Sequence, residues 1–188
     1  MRVRRIVLTS LTTMLCLIGN LQAQSDSGTT ALCLSAHPYP ACGLFLLTNF
    51  GAYARLDGRT NGRDRLGADW GAMINITPRD AVGASYYASV DLDQAFEAGP
   101  ALRYRRWFNA HGALDVGVGL GTVSGNNQAG RSVYAMVKFS PAPWIGLAVR
   151  RSGRGTLLGV EFGSAPGAVL TVAAPIVALV AYAAHPGI

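Results

Sequence analysis

The sequence predicts an all-β protein: an antiparallel up-and-down barrel of about eight strands, followed by an apolar C-terminal helix. Three observations predict this fold. Apolar residues alternate with small or charged ones over residues 44–163, tight turns alternate with longer polar loops, and the chain opens with an export signal. Strict alternation of this kind is typical of strands that have one apolar face.

Residues 1–23 have the pattern of a secretory signal peptide. Three arginines stand among the first five residues, an apolar run covers residues 6–19, and Leu21-Gln22-Ala23 supplies a small-residue cleavage pattern. The apolar run is shorter than the roughly 20 residues that a membrane-spanning helix needs. Its removal takes away three arginines and no acid, so the formal net charge falls from +6 to +3. Such a small charge gives little support for nucleic-acid binding.

Residues 24–43 are predicted to form a polar leader that ends in a short loop closed by a disulfide. Cys33 and Cys42 are the two cysteines that remain after cleavage. Two cysteines in an oxidising compartment usually pair, and closing so short a loop contributes about 2–3 kcal/mol by the chain-entropy argument. A metal site would need more ligands, because His37 is the only further candidate nearby.

Residues 44–163 are predicted to form the barrel. The alternation is cleanest between Leu114 and Gly121, where four aliphatic residues alternate with Asp115 and three glycines. Eight strands make the smallest common closed up-and-down barrel, and closure removes exposed sheet edges. The predicted strands are approximately residues 44–56, 65–77, 80–92, 95–108, 113–123, 131–140, 143–151 and 155–163.

The face opposite the apolar one is rich in Gly, Ala and Ser and carries charges of both signs, so we expect it to line the interior. A turn centred near Ala110 would place Arg105 opposite Asp115, and these two are predicted to be partners. A soluble, lipocalin-like barrel would instead turn its apolar face inward. Seven charged residues are predicted to form the interior network: Asp69, Glu97, Arg103, Arg105, Asp115, Arg150 and Glu161.

Turn lengths and aromatic residues favour a membrane barrel, because outer-membrane barrels have short periplasmic turns, longer external loops and an aromatic girdle at each interface. The connection near residues 92–95 should be external and yet is short. The tight turns are residues 77–80, 109–112 and 140–143, and the polar loops are residues 57–65, 124–131 and 151–155. The predicted girdles are Trp107, Phe108 and Trp144 at the turn rim, and Trp70, Phe96 and Tyr134 at the loop rim.

Residues 164–188 are predicted to form an apolar helix. No charged residue occurs between Ala165 and Ala184. A helix of about 18 residues would reach about 27 Å, close to the hydrocarbon thickness of a bilayer, and Pro175 would kink it. Two alternatives stay open: a membrane helix, which would tend to hold the protein in the inner membrane, or a helix packed on the barrel.

Four segments carry a resemblance: Leu102–Phe108, Ala113–Gly119, Gly71–Gly83 and Gly163–Gly167. With these segments the chain resembles uncharacterised bacterial outer-membrane β-barrel-like proteins of the small eight-stranded type. The resemblance implies a barrel and no known activity, so no functional residues carry over. The chain departs from ordinary outer-membrane barrels because it continues for 25 residues past Gly163 instead of finishing on a strand with a terminal aromatic.

No catalytic, cofactor-binding or metal-binding residues are predicted. His37, His111 and His185 each lack the context of a catalytic dyad or a metal pair. His111 and Asp115 are the one pair that could be forced into a catalytic role, and a solvated turn residue explains His111 better. The glycines of residues 117–121 superficially resemble a nucleotide-binding loop, but they lie in a strand and lack the last glycine spacing.

The sequence thus predicts a non-enzymatic envelope barrel with a structural or interaction role in the outer membrane. Membrane lipid is the expected partner, with lipopolysaccharide a candidate for the basic loops, and no cofactor or nucleic acid is expected. The first alternative is a periplasmic soluble barrel that binds an apolar ligand and is tethered to the inner membrane by its C-terminal helix. A lipid-modifying enzyme is the other alternative, and it would need a convergent His–Ser or His–acid pair.

Overall fold

The computed structural model describes residues 32–33, 35–38, 40–56, 65–91, 95–124, 130–153 and 155–173. The predicted signal peptide, residues 24–31, 34 and 39 of the polar leader, and residues 174–188 of the predicted helix lie outside the described residues. Within them, the structure contains the predicted barrel and the first part of the C-terminal helix.

Eight antiparallel strands close into a barrel, which confirms the predicted fold class. Each strand pairs with its neighbour in the chain, and the first and last strands pair with each other to close the sheet. The observed bounds lie close to the predicted ones. The barrel strands are β2 (Leu44–Arg55), β3 (Arg65–Asn75), β4 (Asp80–Asp91), β5 (Phe96–Trp107), β6 (Ala113–Ser124), β7 (Gly130–Ala142), β8 (Ile145–Ser152) and β9 (Gly155–Phe162).

A further short strand, β1 (Leu32–Cys33), precedes the barrel and is not among the predicted elements. It pairs in parallel with Leu44 and Phe45, at the start of β2. That edge of β2 is available because β9 pairs with β2 only from Phe50 onward. Cys33 is joined to Cys42 by a disulfide with a Cα–Cα distance of 6.0 Å, which confirms the predicted pairing and ties β1 to the entry of the barrel.

The alternation along each strand sorts side chains between the outer surface and the lumen. The apolar side chains point outward: Val118, Leu120 and Val133 are 54%, 67% and 68% exposed. Their sequence neighbours point inward and are mostly buried. The lipocalin-like arrangement, with the apolar face inside, is therefore not the observed one.

Two aromatic residues predicted for the rims lie in the lumen instead. Trp107 is buried, and its indole Nε1 donates a hydrogen bond to Asn75 Oδ1 at 3.1 Å. Tyr134 is also buried, and its ring stacks on Tyr87 with the centroids 4.0 Å apart. The prediction for these two residues was wrong because each stands in phase with the inward charges of its own strand. The other predicted girdle residues are exposed on the outer face: Trp70, Phe96, Phe108 and Trp144.

Residues 164–173 form a helix, α1, that lies against the outer face of the barrel. Ser164 has a φ of 57°, which lets the chain turn back after β9. Thr48 Oγ1 donates to the Ser164 carbonyl at 2.9 Å, and a Cβ added to Gly167 would lie 2.1 Å from the Thr48 carbonyl oxygen. The described part of the helix is therefore packed on the barrel. Over the described residues, no helix has the length and apolar character needed to cross a membrane.

Candidate functional site: the charged lumen

Nine charged side chains of the described residues are buried in the lumen. None of them is more than 5% exposed. All seven residues of the predicted network are there, and Arg65 and Lys138 join them. Since an isolated buried charge is costly, their pairing decides whether this interior is stable. The nine residues are Arg65, Asp69, Glu97, Arg103, Arg105, Asp115, Lys138, Arg150 and Glu161.

At the turn end of the lumen, Arg105 and Asp115 form a two-pronged ion pair. Arg105 Nε and Nη2 donate to the two carboxylate oxygens of Asp115 at 2.5 and 2.8 Å. The two residues are direct partners in the β5–β6 register, as the turn near Ala110 predicted. The guanidinium also lies 5.3 Å from the ring centre of Phe45 and 5.0 Å from that of Trp107. The bidentate ion pair and the two cation–π contacts together offset the cost of removing the Arg105 guanidinium from water.

In the middle of the lumen, Arg150 bridges two carboxylates from different strands. Its Nη2 donates to Glu161 Oε1 at 2.7 Å and also to Asp69 Oδ2. Tyr53 donates its hydroxyl to the same Glu161 oxygen at 2.6 Å. Because Asp69 stands on β3 and Arg150 on β8, this bridge crosses the barrel rather than following one strand pair.

Lys138 connects the middle cluster with the turn-end pair. Its ammonium Nζ lies 3.2 Å from Glu161 Oε2 and 3.8 Å from Asp115 Oδ2, and it donates to Asn49 Oδ1 at 3.0 Å. Arg103 reaches across from β5, with Nη1 3.7 Å from Asp69 Oδ1. The seven charged groups of the middle cluster and the turn-end pair thus form one connected network.

The loop end of the lumen is built from tyrosines and one further ion pair. Arg65 Nη1 lies 3.4 Å from Glu97 Oε2, and the Tyr87 hydroxyl donates to Glu97 Oε1 at 3.5 Å. The Arg150 guanidinium is 4.5 Å from the ring centre of Tyr53. Aromatic rings therefore separate this outer pair from the middle cluster and fill the space between strands.

The glycines of β6 make room for these long side chains. A Cβ added to Gly117 would lie 3.0 Å from Arg103 Cδ, and one added to Gly121 would lie 2.1 Å from the Tyr87 hydroxyl. Glycine inside a strand often marks such a close approach. Residues 117–121 accordingly serve lumen packing. They lie within strand β6 and do not form a nucleotide-binding loop.

The described residues of the disulfide loop, 33, 35–38 and 40–42, lie across the turn end of the lumen. Ala36 is buried in a cluster with inward residues of the strands, among them Phe45 and Trp107. Asn75 Nδ2 donates to the backbone carbonyls of His37 and Cys42 at 2.8 and 2.7 Å. The loop is therefore a cap, and we refer to residues 33–42 by that name.

The histidines do not assemble a catalytic or metal site in the described residues. Partial burial, with a smaller contribution from the charge of His111, lowers the pKa of His37 from its ordinary value. His111 is exposed in a turn, whereas Asp115 is buried and paired with Arg105, so the structure does not join that pair. Among the residues that the structure describes, no group of three or more His, Cys, Asp or Glu side chains could hold a metal ion. His185 lies outside them.

Sequence reasoning missed Lys138 and Arg65 as members of the network. The signal for Lys138 was present in β7, where Ser132, Tyr134 and Met136 share its phase and aliphatic residues occupy the other face. The sequence pattern places Arg65 in the loop of residues 57–65, whereas it stands at the very start of β3. The alternation extends to the strand ends, and there a charged residue is easily assigned to solvent.

Comparison with protein-family models, with curated proteins and with solved structures gives no match. Function must therefore be inferred from what this barrel presents on its two faces. The lumen holds paired charges and tight side-chain packing, and the outer surface is apolar.

Proposed function

We propose that this chain is a non-enzymatic outer-membrane barrel with a structural or interaction role in the bacterial envelope. One observation carries the proposal: the apolar faces of the strands point outward, and the charged residues of the same strands point into the lumen. In water this arrangement would be unfavourable because it exposes the whole apolar outer face. In a bilayer it places apolar side chains against lipid, and the backbone polar groups are satisfied by strand pairing.

The size of the apolar surface supports a lipid environment. Large apolar side chains are more than one-third exposed on β3 to β9, for example Ile74, Leu102 and Leu147 at 55%, 68% and 57%. Soluble monomers rarely expose apolar patches of more than a few hundred Å², and larger ones mark membrane or protein contacts. A belt that runs around the barrel suits lipid better than a single protein partner, which would cover only one side.

The filled lumen supports a structural role rather than transport. Arg103 on β5 and Arg150 on β8 both reach Asp69 on β3. The rings of Tyr87 and Tyr134 stack between β4 and β7. A water-filled channel belongs to much wider barrels of 16 or more strands. A soluble carrier of an apolar ligand is less well supported, because these charged groups would have to be displaced or desolvated by the ligand.

The loop end offers a surface for anionic lipid headgroups. Arg131 on β7 and Arg151 on β8 are exposed on the outer face near that end. Among the described outward-facing residues the acidic one is Asp80, which stands at the opposite end and is paired with Arg106. Phosphate groups of lipopolysaccharide are therefore the proposed partner of these two arginines.

Cysteine labelling in isolated envelopes tests the proposal. Val118→Cys should react with a lipid-soluble maleimide and not with a charged one, because its side chain would face acyl chains. Ser124→Cys, at the exposed end of the same strand, should react with both reagents, and Ser132→Cys, buried in the lumen, with neither. The native Cys33–Cys42 disulfide leaves those two cysteines unreactive.

A density gradient on the same envelopes decides the compartment. The proposal expects the protein in the outer-membrane fraction. Recovery as soluble protein without detergent, together with labelling of Val118→Cys by the charged maleimide, would reject the membrane assignment and favour a soluble barrel. Recovery with the inner membrane would favour the tethered alternative.

A further inference from the structure

Among the lumen side chains that the structure describes, the central charges do not balance. The Arg65–Glu97 pair at the loop end is neutral, and the rest of the network has four cations and three carboxylates. The cations are Arg103, Arg105, Lys138 and Arg150, and the carboxylates are Asp69, Asp115 and Glu161. A net positive charge in so buried a cluster is unfavourable unless a further anion compensates it.

The polar atoms left over in the lumen are mainly donors. Arg150 Nη1 and the Tyr134 hydroxyl are buried and have no hydrogen-bond partner among the described residues. Arg103 Nε and Nη2 are likewise buried without a hydrogen-bond partner among the described residues. Two buried carboxylate oxygens also lack a hydrogen bond, but each has a cation nearby. Asp69 Oδ1 lies 3.7 Å from Arg103 Nη1, and Glu161 Oε2 lies 3.2 Å from Lys138 Nζ. Since buried donors are normally paired, their surplus indicates a ligand that accepts hydrogen bonds.

A cavity lies beside Arg150 and Tyr134 in the loop half of the barrel. Arg150 and Tyr134 line it together with Arg65, Tyr87 and Ser152, the last residue of β8. Its volume is about 10 Å³, which is close to the minimum for one water-sized particle. A polyatomic anion such as sulfate would not fit without displacing side chains. Because Ser152 belongs to the lining, the cavity lies near the loop rim.

We propose that this cavity binds one small monovalent inorganic anion, with chloride as the representative ligand, between the guanidinium of Arg150 and the hydroxyl of Tyr134. The anion balances the charge of the central cluster and accepts hydrogen bonds from Arg150 and Tyr134. Glu97 also lines the cavity, and its carboxylate weakens binding. The inference concerns the lumen and goes beyond the proposed role in the membrane.

Anion-dependent stability of the purified full-length protein in neutral detergent tests the site. Chloride replaces gluconate at constant ionic strength, and the thermal unfolding midpoint is followed. The midpoint should rise with chloride and with bromide relative to gluconate, and the rise should saturate as a single site fills. Bromide should also appear in the lumen as an anomalous-scattering peak in crystals.

Three variants make the test specific. Tyr134→Phe removes one donor and should weaken chloride binding about tenfold, the equivalent of one hydrogen bond to a charged group. Glu97→Gln removes the opposing carboxylate and should tighten binding. Tyr104→Phe is the matched control, because its hydroxyl is bonded to Asp80 on the outer face and should leave chloride binding unchanged.

The results separate the possible outcomes. No chloride dependence in either the wild type or Glu97→Gln, with no bromide peak, would overturn the proposal and assign the cavity to water. If Tyr134→Phe fails to fold, Glu97→Gln and the bromide peak still decide. A protein that proves to be soluble can be assayed in the same way, so failure of the membrane assignment and failure of the anion site are distinguishable.

Discussion

Individual residues of the lumen have to satisfy two demands at once, since each charge must find a counter-charge and each long side chain must find space. Arg105 meets the first demand through Asp115 and the second by lying between the rings of Phe45 and Trp107. Arg106, its neighbour in sequence, points outward and is half exposed beside Asp80. One step along the strand thus separates a buried ion pair from a solvated one.

The Arg105–Asp115 pair should show strong coupling in a double-mutant cycle. Arg105→Ala leaves a buried carboxylate without its main partner, and Asp115→Ala leaves a buried guanidinium, so each should lower the free energy of unfolding by about 3–5 kcal/mol. The double variant should lose much less than the sum. Chemical unfolding of the refolded protein measures all three variants. Arg106→Ala and Asp80→Ala supply the exposed control cycle, where strong coupling is not expected.

Strictly additive losses for Arg105→Ala and Asp115→Ala would contradict this prediction. They would mean that the two side chains stabilise the barrel through separate neighbours. A cycle that couples Arg106 and Asp80 as strongly as Arg105 and Asp115 would equally contradict it, because exposed pairs are screened by water.

At the scale of the element, the cap is the part whose stability should respond to pH. The pKa of His37 is lowered by burial and by His111, so the unfolded chain takes up a proton at higher pH than the folded one. Acidification from about pH 6.5 downward should therefore lower the stability of the cap, and this loss ends once the folded protein is protonated as well. Above pH 6.5 both states are neutral at this residue, and no contribution is expected.

His37→Gln should remove this part of the pH dependence. The measurement is the difference between the unfolding midpoints of the variant and the wild type from pH 8 to pH 5. His111→Gln is the partial control: it removes the smaller cause of the shift and should reduce the dependence without abolishing it. Identical pH profiles for His37→Gln and the wild type would contradict the prediction. They would mean that folding does not lower the pKa of His37.

Strands long enough to show alternating apolar and polar residues could be predicted from the sequence, and shorter ones could not. Strand β6 shows its two faces over 12 residues, and both its bounds and its inward Asp115 follow from the pattern. Strand β1 has two residues and no period, and it depends on pairing with β2 and on the disulfide. Trp107 and Tyr134 were assigned to the rims because their residue type suggested an interface, whereas their phase in the strand placed them inside.

The composition of the lumen was only partly predictable for the same reason. The alternation identifies which residues face inward, but not which of them meet across the barrel. The contact between Arg150 on β8 and Asp69 on β3 depends on closure and on side-chain length, neither of which is local in sequence. The cavity and the surplus of donors depend on the same long-range packing.

For the whole molecule, the distribution of charge over the outer surface distinguishes the two rims. The described loop-end rim has Arg131 and Arg151, and the turn-end rim has Arg79, Arg106 and the acid Asp80. An anionic leaflet should therefore contact the loop end more favourably than the turn end. Lipid headgroup phosphates would meet the guanidinium groups just beyond the apolar belt.

The double variant Arg131→Gln and Arg151→Gln should bind lipopolysaccharide about 30-fold more weakly, at about 1 kcal/mol for each arginine. Titration of the purified protein in neutral detergent measures the affinity. The variant Arg79→Gln and Arg106→Gln is the matched control at the other rim and should keep its affinity. Equal losses in both double variants would indicate attraction by net charge alone and would contradict a specific loop-end contact.

The contacts of the cap also determine the order in which the barrel can be completed. The hydroxyl of Ser35 donates to that of Ser164 at 3.0 Å, and Ser164 follows directly after the last strand. Asn75, from the second barrel strand, holds the cap from another side. The disulfide joins residues close in sequence and can form early. The contact of the cap with Ser164, however, can form only after β9 has paired with β2. Seating of the cap is therefore a late step of assembly, and a seated cap reports that the sheet has joined its first strand to its last.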